Sequence, residues 1–216
     1  MFLFESACFR VSAAKFADIE PSLLPEIAFV GRSNAGKSST INTLTHKRQL
    51  AFASKTPGRT QLINFFTLSK KNQDKSLTPV AELVDLPGYG FSKADPATRA
   101  SWGRLATDYL LGRQNLVGVV IVMDARRPFT VSDDWVIDLL NTRPVKLHFL
   151  LNKADQIKAA DRKPTLATSL SRAESLGTHV TTQFFSSLKK EGLPELEDVL
   201  THWIDGTEIV RESSLI

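Results

Sequence analysis

The amino-acid sequence predicts a three-layer α/β fold: a mostly parallel six-stranded sheet with one antiparallel strand and with helices on both faces. Short apolar runs alternate with segments of helical periodicity along the chain, which is the pattern of open parallel sheets. The run at 117–123 is apolar throughout, as expected for a strand buried on both faces. The first apolar run leads directly into a glycine-rich turn and a helical pattern.

The first half of the chain supplies three strands and two helices. Residues 27–30 form a short apolar strand, and 37–44 form a helix after the glycine-rich turn. The segments 61–68 and 80–84 are strand-like and are joined by a mostly polar stretch, which predicts a hairpin with one antiparallel strand. Residues 98–111 carry apolar side chains near helical spacing and predict a second helix.

The second half continues the alternation of strand and helix. Ser132, Asp133 and Asp134 can cap a helix at 132–140 and place negative charge at the positive end of its dipole. Pro194 suits the first turn of the last helix. The remaining predicted strands and helices are 117–123, 146–151, 162–175, 180–185 and 194–204.

The chain contains no internal repeat, low-complexity tract or linker, so we interpret it as one domain. Residues 21–204 would form this domain, 1–20 an N-terminal arm packed on it, and 205–216 a frayed C-terminal tail. A chain of 216 residues can bury a core without disulfides or metals.

Composition excludes several classes of protein. Hydrophobic residues make up 42% of the chain, which excludes wholesale disorder, and the single cysteine, Cys8, excludes an internal disulfide or a multi-cysteine metal site. The first residues lack the positive region of a secretion signal. The longest apolar run, 116–123, is far shorter than the ~20 residues of a membrane span. We therefore expect a cytoplasmic protein without a membrane partner.

Positive charge is concentrated in the first third of the chain. The formal net charge is +4, whereas residues 1–70 carry nine Lys and Arg against four Asp and Glu. Such a bias is compatible with a nucleic-acid partner without establishing one.

The turn after the first predicted strand matches G-x-x-x-x-G-K-[ST] and opens a predicted helix, which is the context of a phosphate-binding loop. Gly31 and Gly36 would let the backbone curl so that its N–H groups face phosphate oxygens. Lys37 would neutralise the β- and γ-phosphates, and the Ser38 hydroxyl would bind Mg²⁺. The alternative is a chance glycine turn. The predicted loop comprises Gly31, Arg32, Ser33, Asn34, Ala35, Gly36, Lys37 and Ser38.

A second segment, Asp85-Leu86-Pro87-Gly88, directly follows a predicted strand. The Asp85 carboxylate could hold Mg²⁺ through a water molecule, and the Gly88 N–H could approach a γ-phosphate. Taken alone, this string is more typical of an ordinary turn. Behind a phosphate loop, the nucleotide-binding interpretation is favoured.

Two further segments would select the base. Asp155 could accept two hydrogen bonds from the guanine N1–H and N2 amine, a donor pair that adenine lacks. The Asn152 amide could bond N7 and link this segment to the phosphate loop, and the Lys153 stem could lie over the base. Backbone N–H groups after the last strand could reach guanine O6. A helix cap and a serine-rich turn are the alternatives for Asn152-Lys153-Ala154-Asp155 and Phe185-Ser186-Ser187.

A threonine between the phosphate loop and the hairpin could supply a second hydroxyl ligand to Mg²⁺ when the γ-phosphate is present. Thr60 is preferred to Thr56 because it lies just before the hairpin strand. Loss of the γ-phosphate would then release this segment. A plain turn is the alternative. Lys47, Arg48 and Lys55 lie in the same region and could contact RNA when it is ordered.

The ordered motifs resemble those of the bacterial EngB (YihA/YsxC) GTPases, over about residues 16–204. The strings that carry the resemblance are Gly-Arg-Ser-Asn-Ala-Gly-Lys-Ser-Ser, Lys-Thr-Pro-Gly-Arg-Thr-Gln, Asp-Leu-Pro-Gly-Tyr-Gly and Phe-Ser-Ser-Leu-Lys-Lys. The resemblance implies a Ras-like P-loop GTPase domain that binds GTP and GDP with Mg²⁺. It places metal ligands at Ser38, Thr60 and, through water, Asp85, and a switch contact at Gly58, Arg59, Thr60, Gln61 and Leu62.

The resemblance also implies a role in assembly of the large ribosomal subunit, with ribosomal RNA and proteins as partners of a monomer, and in normal cell division and septation. A GTP-binding scaffold that acts directly in septation with little hydrolysis is the alternative. A P-loop kinase or ATPase would conflict with the guanine-selecting segment at 152–155.

Hydrolysis is expected to be slow. Ras-like switches carry a water-orienting glutamine after the D-x-x-G glycine, where this chain has Tyr89, so Lys37, Thr60 and Gly88 remain the predicted catalytic groups. Arg59 could act as an internal arginine finger or contact RNA. Asn34 resembles the asparagine that helps related GTPases bind K⁺, a charge that could replace such a finger. The alternative is that asparagine merely tolerates the backbone angles of the loop.

Overall fold

A computed structural model of the chain describes residues 3–51, 62–89 and 96–206, with side chains from residue 104 onward in the helix that starts at 96. The strands are β1 Cys8–Ala13, β2 Glu26–Gly31, β3 Ile63–Lys71, β4 Leu77–Asp85, β5 Leu116–Asp124, β6 Lys146–Asn152 and β7 Val180–Phe184. The helices are α1 Lys37–Leu44, α2 Pro96–Gly112, α3 Val131–Leu140, α4 Ala159–Leu176 and α5 Leu193–Asp205. None of the described helices is long and apolar enough to cross a membrane.

The strands form one sheet in the order β1-β3-β4-β2-β5-β6-β7. Only β3 runs against the others, since it is antiparallel to both β1 and β4, whereas the remaining described pairs are parallel. The predicted fold class, with one reversed strand, is confirmed. The described residues form seven strands in this sheet rather than the predicted six, because β1 joins its edge. This strand mixes apolar and polar residues, and its apolar Phe9 is 53% exposed, so it lacks the pattern of a buried strand.

Helices cover both faces of the sheet. Successive residues of the central strands point to opposite faces, so Ala28 and Val119 join one core and Phe29 and Val120 join the other. The first core is closed by α2, α3 and α4, and the second by α1 and α5. Both faces of β2 and β5 are therefore buried, which is why these strands are continuous apolar runs in the sequence.

The predicted hairpin has longer strands and a shorter turn than the sequence indicates. Strand pairing continues to Lys71 opposite Leu77, and the turn is closed by a 2.9 Å hydrogen bond from the Asn72 N–H to the Ser76 carbonyl. The strand residues at this end, 70–71 and 77–79, are exposed, and most of them are polar although they belong to strands. Polarity at this end reflects exposure rather than loop structure.

The α3 helix begins earlier than predicted, and its cap is Thr130 rather than Ser132. The Asp133 carboxylate accepts hydrogen bonds from the Thr130 N–H and hydroxyl at 2.8 and 2.7 Å. Asp133 and Asp134 lie in the first turn, so the predicted negative charge at the positive end of the helix dipole is confirmed. The capping partner lies one residue before the helix because the N-cap has an extended backbone.

Candidate nucleotide-binding site

The predicted phosphate loop lies between β2 and α1, at the edge of the sheet where the parallel strands end. Gly36 has φ 99° and directly precedes α1. A Cβ atom at Gly36 would overlap Nδ2 of Asn152, and one at Gly31 would lie 2.6 Å from the Val122 carbonyl oxygen. Both positions therefore require glycine. Gly36 has a positive φ and lies against the Asn152 side chain, and Gly31 lies against the backbone of β5.

The segment at 152–155 is joined to the phosphate loop by two side chains. The buried Asn152 amide donates to the Ala35 carbonyl at 2.9 Å, and Lys153 Nζ donates to the Asn34 carbonyl at 2.6 Å. These contacts bring two sequence motifs, separated by more than 100 residues, into one site. The predicted link between Asn152 and the loop is present in the structure.

The carboxylate at the end of β4 faces the phosphate loop. Asp85 is only 4% exposed, and its side chain forms an ion pair with the Lys37 ammonium. The pair joins the first residue of α1 to the last residue of β4. The cation and the carboxylate that the sequence assigns to phosphate and metal are thus adjacent.

The residues after Asp85 run beside the loop. The Tyr89 N–H donates to the Gly31 carbonyl at 3.1 Å, and the Ser33 N–H donates to the Tyr89 carbonyl at 2.8 Å. A Cβ atom at Gly88 would lie 3.3 Å from the Gly31 oxygen, so the two backbones are in close contact at this position. The predicted γ-phosphate contact therefore lies directly against the phosphate loop.

Tyr89 points into the core. Its side chain is 3% exposed, and its hydroxyl donates to Asp133 on α3 at 2.6 Å. Burial, reinforced by the neighbouring Asp133 carboxylate, raises the pKa of Tyr89 far above its usual value, so the phenol stays neutral. The sequence does not reveal this contact because the two residues are 44 positions apart.

Asp155 lies in the short turn Ala154–Gln156 that follows β6. The Ser186 hydroxyl, in a fully buried residue, donates to the Asp155 carboxylate at 2.5 Å. The backbone of the same serine is already used, since its N–H donates to the Glu191 carbonyl, and the Phe185 N–H donates to Leu151. Both N–H groups are thus bonded within the protein, so the contact to guanine O6 expected from this segment stays a prediction for the Ser187 N–H.

Several predicted residues fall outside the described part of the chain. These are Gly58, Arg59, Thr60 and Gln61, together with Lys55. Leu62, the last residue of the predicted switch contact, is 37% exposed and directly precedes β3. Lys47 and Arg48 are exposed in the segment after α1.

This arrangement of phosphate loop, strand-end carboxylate and base-selecting segment, on a sheet of this order, defines a P-loop GTPase. A family model described as "50S ribosome-binding GTPase" matches residues 26–153. The chain is 45% identical over 202 residues to "Probable GTP-binding protein EngB" of Aromatoleum aromaticum, covering 94% of this chain and 89% of that protein.

A second relative gives the same result over nearly the whole chain. The "Probable GTP-binding protein EngB" of Neisseria meningitidis serogroup B is 42% identical over 215 residues, which is 99% of this chain and 98% of the relative. The chain belongs to the EngB family of GTP-binding proteins, and the resemblance found in the sequence is confirmed. A crystal structure of a probable GTP-binding protein engB shares the fold with a TM-score of 0.59 and 20% identity, over 84% of this chain and 99% of that chain.

Proposed function

We propose that the protein is a Mg²⁺-dependent, slowly hydrolysing GTP switch that acts in assembly of the large ribosomal subunit and is needed for normal cell division and septation. One observation supports nucleotide binding above the others. The side chains of Asn152 and Lys153, which precede Asp155, donate hydrogen bonds to backbone carbonyls of the phosphate loop. The family description supports the ribosomal role, and the names of the EngB relatives support GTP binding.

Guanine selection would come from Asp155. One of its carboxylate oxygens is held by Ser186, which fixes the direction in which the carboxylate points. A carboxylate held in this way would accept the N1–H and N2 hydrogen bonds of guanine, and the Ser187 N–H would donate to O6. A base without that donor pair would leave a charged acceptor unsatisfied, which makes the discrimination large.

The donors at the phosphate loop fit a magnesium ion. Ser38, in the first turn of α1, supplies a hydroxyl oxygen, and Asp85 supplies a nearby carboxylate that would act through water. Oxygen donors with retained waters are the ligands that Mg²⁺ prefers. When bound, the ion would neutralise charge on the β- and γ-phosphates. Lys37 would add a second positive charge, and Thr60 a second hydroxyl.

Slow hydrolysis follows from Tyr89. The side chain after Gly88 would have to orient the attacking water, but the Tyr89 hydroxyl is buried and bonded to Asp133. Positioning is therefore left to the backbone N–H of Gly88, with Lys37 and Thr60 stabilising charge. We propose that an external group or cation is needed for faster turnover.

The switch would work in the cytoplasm as a monomer, with 21–204 as the nucleotide-binding domain and 1–20 as an arm whose strand β1 pairs with β3 at the edge of the same sheet. Exposed Lys47 and Arg48 follow α1 and could contact ribosomal RNA. A GTP-binding scaffold acting directly in septation remains the second candidate.

Co-sedimentation with 50S particles tests the proposal and separates the two candidates. The protein would be mixed with purified particles in GDP, in GTP and in a non-hydrolysable GTP analogue. We expect binding with GTP or the analogue to exceed binding with GDP. No co-sedimentation under any nucleotide would contradict the ribosomal role and favour the scaffold.

A further inference from the structure

A carboxylate that the sequence analysis does not assign lies beside the base-selecting segment. Asp124 is the last residue of β5, and its side chain is 10% exposed. Its Oδ2 atom contacts Lys153 Nζ at 3.0 Å, while the same ammonium donates to the Asn34 carbonyl at 2.6 Å. Lys153 is therefore held between the end of β5 and the phosphate loop.

Arg126 orients the Asp124 carboxylate. Its guanidinium donates to Oδ1 at 2.9 Å through Nε and to Oδ2 at 2.6 Å through Nη2, and its backbone N–H donates to Oδ1 at 3.1 Å. These bonds, followed by those of Lys153, hold the pKa of Asp124 well below its usual range despite its burial. The carboxylate therefore stays charged and keeps Oδ2 towards Lys153.

We propose that Asp124 is a positioning residue for nucleotide binding, because it fixes the Lys153 side chain as one wall of the base pocket. A free lysine stem samples many rotamers, and ordering it on binding would weaken affinity. Lys153 is instead fixed at both ends, by a backbone with φ 63° and by two acceptors on its ammonium. The inference rests on the proposed function, in which the Lys153 stem covers the guanine.

This role predicts a particular pattern of effects. The Lys153 side chain would contact any purine and would not reach the reacting phosphate. Its loss would therefore weaken the binding of GDP, GTP and inosine nucleotides by the same factor. The turnover rate at saturating GTP would stay the same. The ratio of guanine to inosine affinity would also stay the same, because that ratio depends on Asp155.

The test uses Asp124→Asn, which keeps the size of the side chain and removes its charge. Arg127→Ala is the matched control, since Arg127 is an exposed neighbour whose backbone N–H, not its side chain, bonds Asp124. Dissociation constants for GDP, GTP and inosine diphosphate would be measured by calorimetry, together with KM and kcat for GTP. We expect Asp124→Asn to raise the dissociation constants of all three nucleotides about tenfold, which corresponds to the loss of one charge-assisted hydrogen bond. Arg127→Ala should bind them as the wild type does.

A double-mutant cycle separates positioning of Lys153 from support of the loop. In a Lys153→Met background, Asp124→Asn should have no further effect, because the side chain through which it acts is gone. GDP dissociation rates, measured by chase from protein loaded at high GDP concentration, give the same comparison where affinity is low. The inference would be overturned if Asp124→Asn bound nucleotide with wild-type affinity. It would also be overturned if Asp124→Asn weakened binding as much in the Lys153→Met background as in the wild type. Failure of the wild type to bind guanine nucleotide would instead overturn the proposed function.

Discussion

The Ser186 hydroxyl donates to the Asp155 carboxylate at 2.5 Å, across a gap of 31 residues in the sequence. Ser186 is fully buried, and its oxygen also accepts a hydrogen bond from the Lys189 N–H at 3.1 Å. The serine therefore acts through its side chain, holding the residue that would read the base. This arrangement makes the site sensitive to a single hydroxyl group.

Replacement of Ser186 by alanine should weaken GDP binding. The change removes a hydrogen bond to a charged group, worth about 2 kcal/mol or roughly thirtyfold in the dissociation constant. Ser187→Ala is the control, because the Ser187 hydroxyl is buried without a hydrogen-bond partner among the described residues and its proposed contact is a backbone N–H. Isothermal calorimetry with GDP would measure both variants. Equal affinity in the two would show that Asp155 needs no support from Ser186.

Asp155→Asn should change the base preference from guanine to xanthine. Xanthine carries an oxygen where guanine has the N2 amine, so an amide donor would fit where the carboxylate does not. Competition between GDP and xanthosine diphosphate measures the change. Asp161→Asn, at an exposed carboxylate in the first turn of α4, should keep the guanine preference. A variant at Asp155 that still prefers guanine would remove this residue from base recognition.

The sequence predicts most of the fold because the inner strands are apolar on both faces. It does not predict β1, whose Phe9 and Val11 are partly exposed, or the full hairpin, whose ends project from the sheet. In the site, short strings such as 31–38 and 152–155 are recognisable because their chemistry is local. The roles of Ser186 and Asp124 cannot be recognised from the sequence, because they depend on contacts between segments that are distant along the chain.

Gly36→Ala should destabilise the protein and weaken nucleotide binding. The position has φ 99°, and an added Cβ would overlap the Asn152 amide that binds the phosphate loop. We expect a loss of about 2 kcal/mol or more in the free energy of unfolding. Gly206→Ala separates the two causes, because it has φ 69° and none of the described residues lies within 4 Å of the added atom, and it should lose only about 1 kcal/mol. Equal losses in urea unfolding would show that the Asn152 contact adds nothing.

His148 should make the fold less stable in acid. Burial lowers the pKa of His148 to about 4, whereas an unfolded histidine titrates near 6.5. Between these values the unfolded chain binds the proton and the folded chain does not, so stability falls as pH decreases through this window, by up to about 3 kcal/mol. Urea unfolding at pH 7 and pH 4.5 should show a smaller decrease in His148→Gln. His179→Gln, at an exposed histidine, should behave as the wild type; an unchanged decrease in His148→Gln would contradict the assignment.

GTP turnover should be faster in KCl than in NaCl at equal ionic strength if Asn34 helps to bind K⁺ beside the phosphates. Asn34 is exposed and has φ 66°, a backbone angle that asparagine tolerates and glycine adopts freely. Asn34→Gly therefore keeps the loop conformation and removes only the amide. We expect this variant to lose the difference between the two salts while its GDP affinity stays within about threefold, since no base contact is changed. Equal wild-type rates in KCl and NaCl, or a potassium effect that survives in Asn34→Gly, would leave the backbone angle as the reason for asparagine at this position.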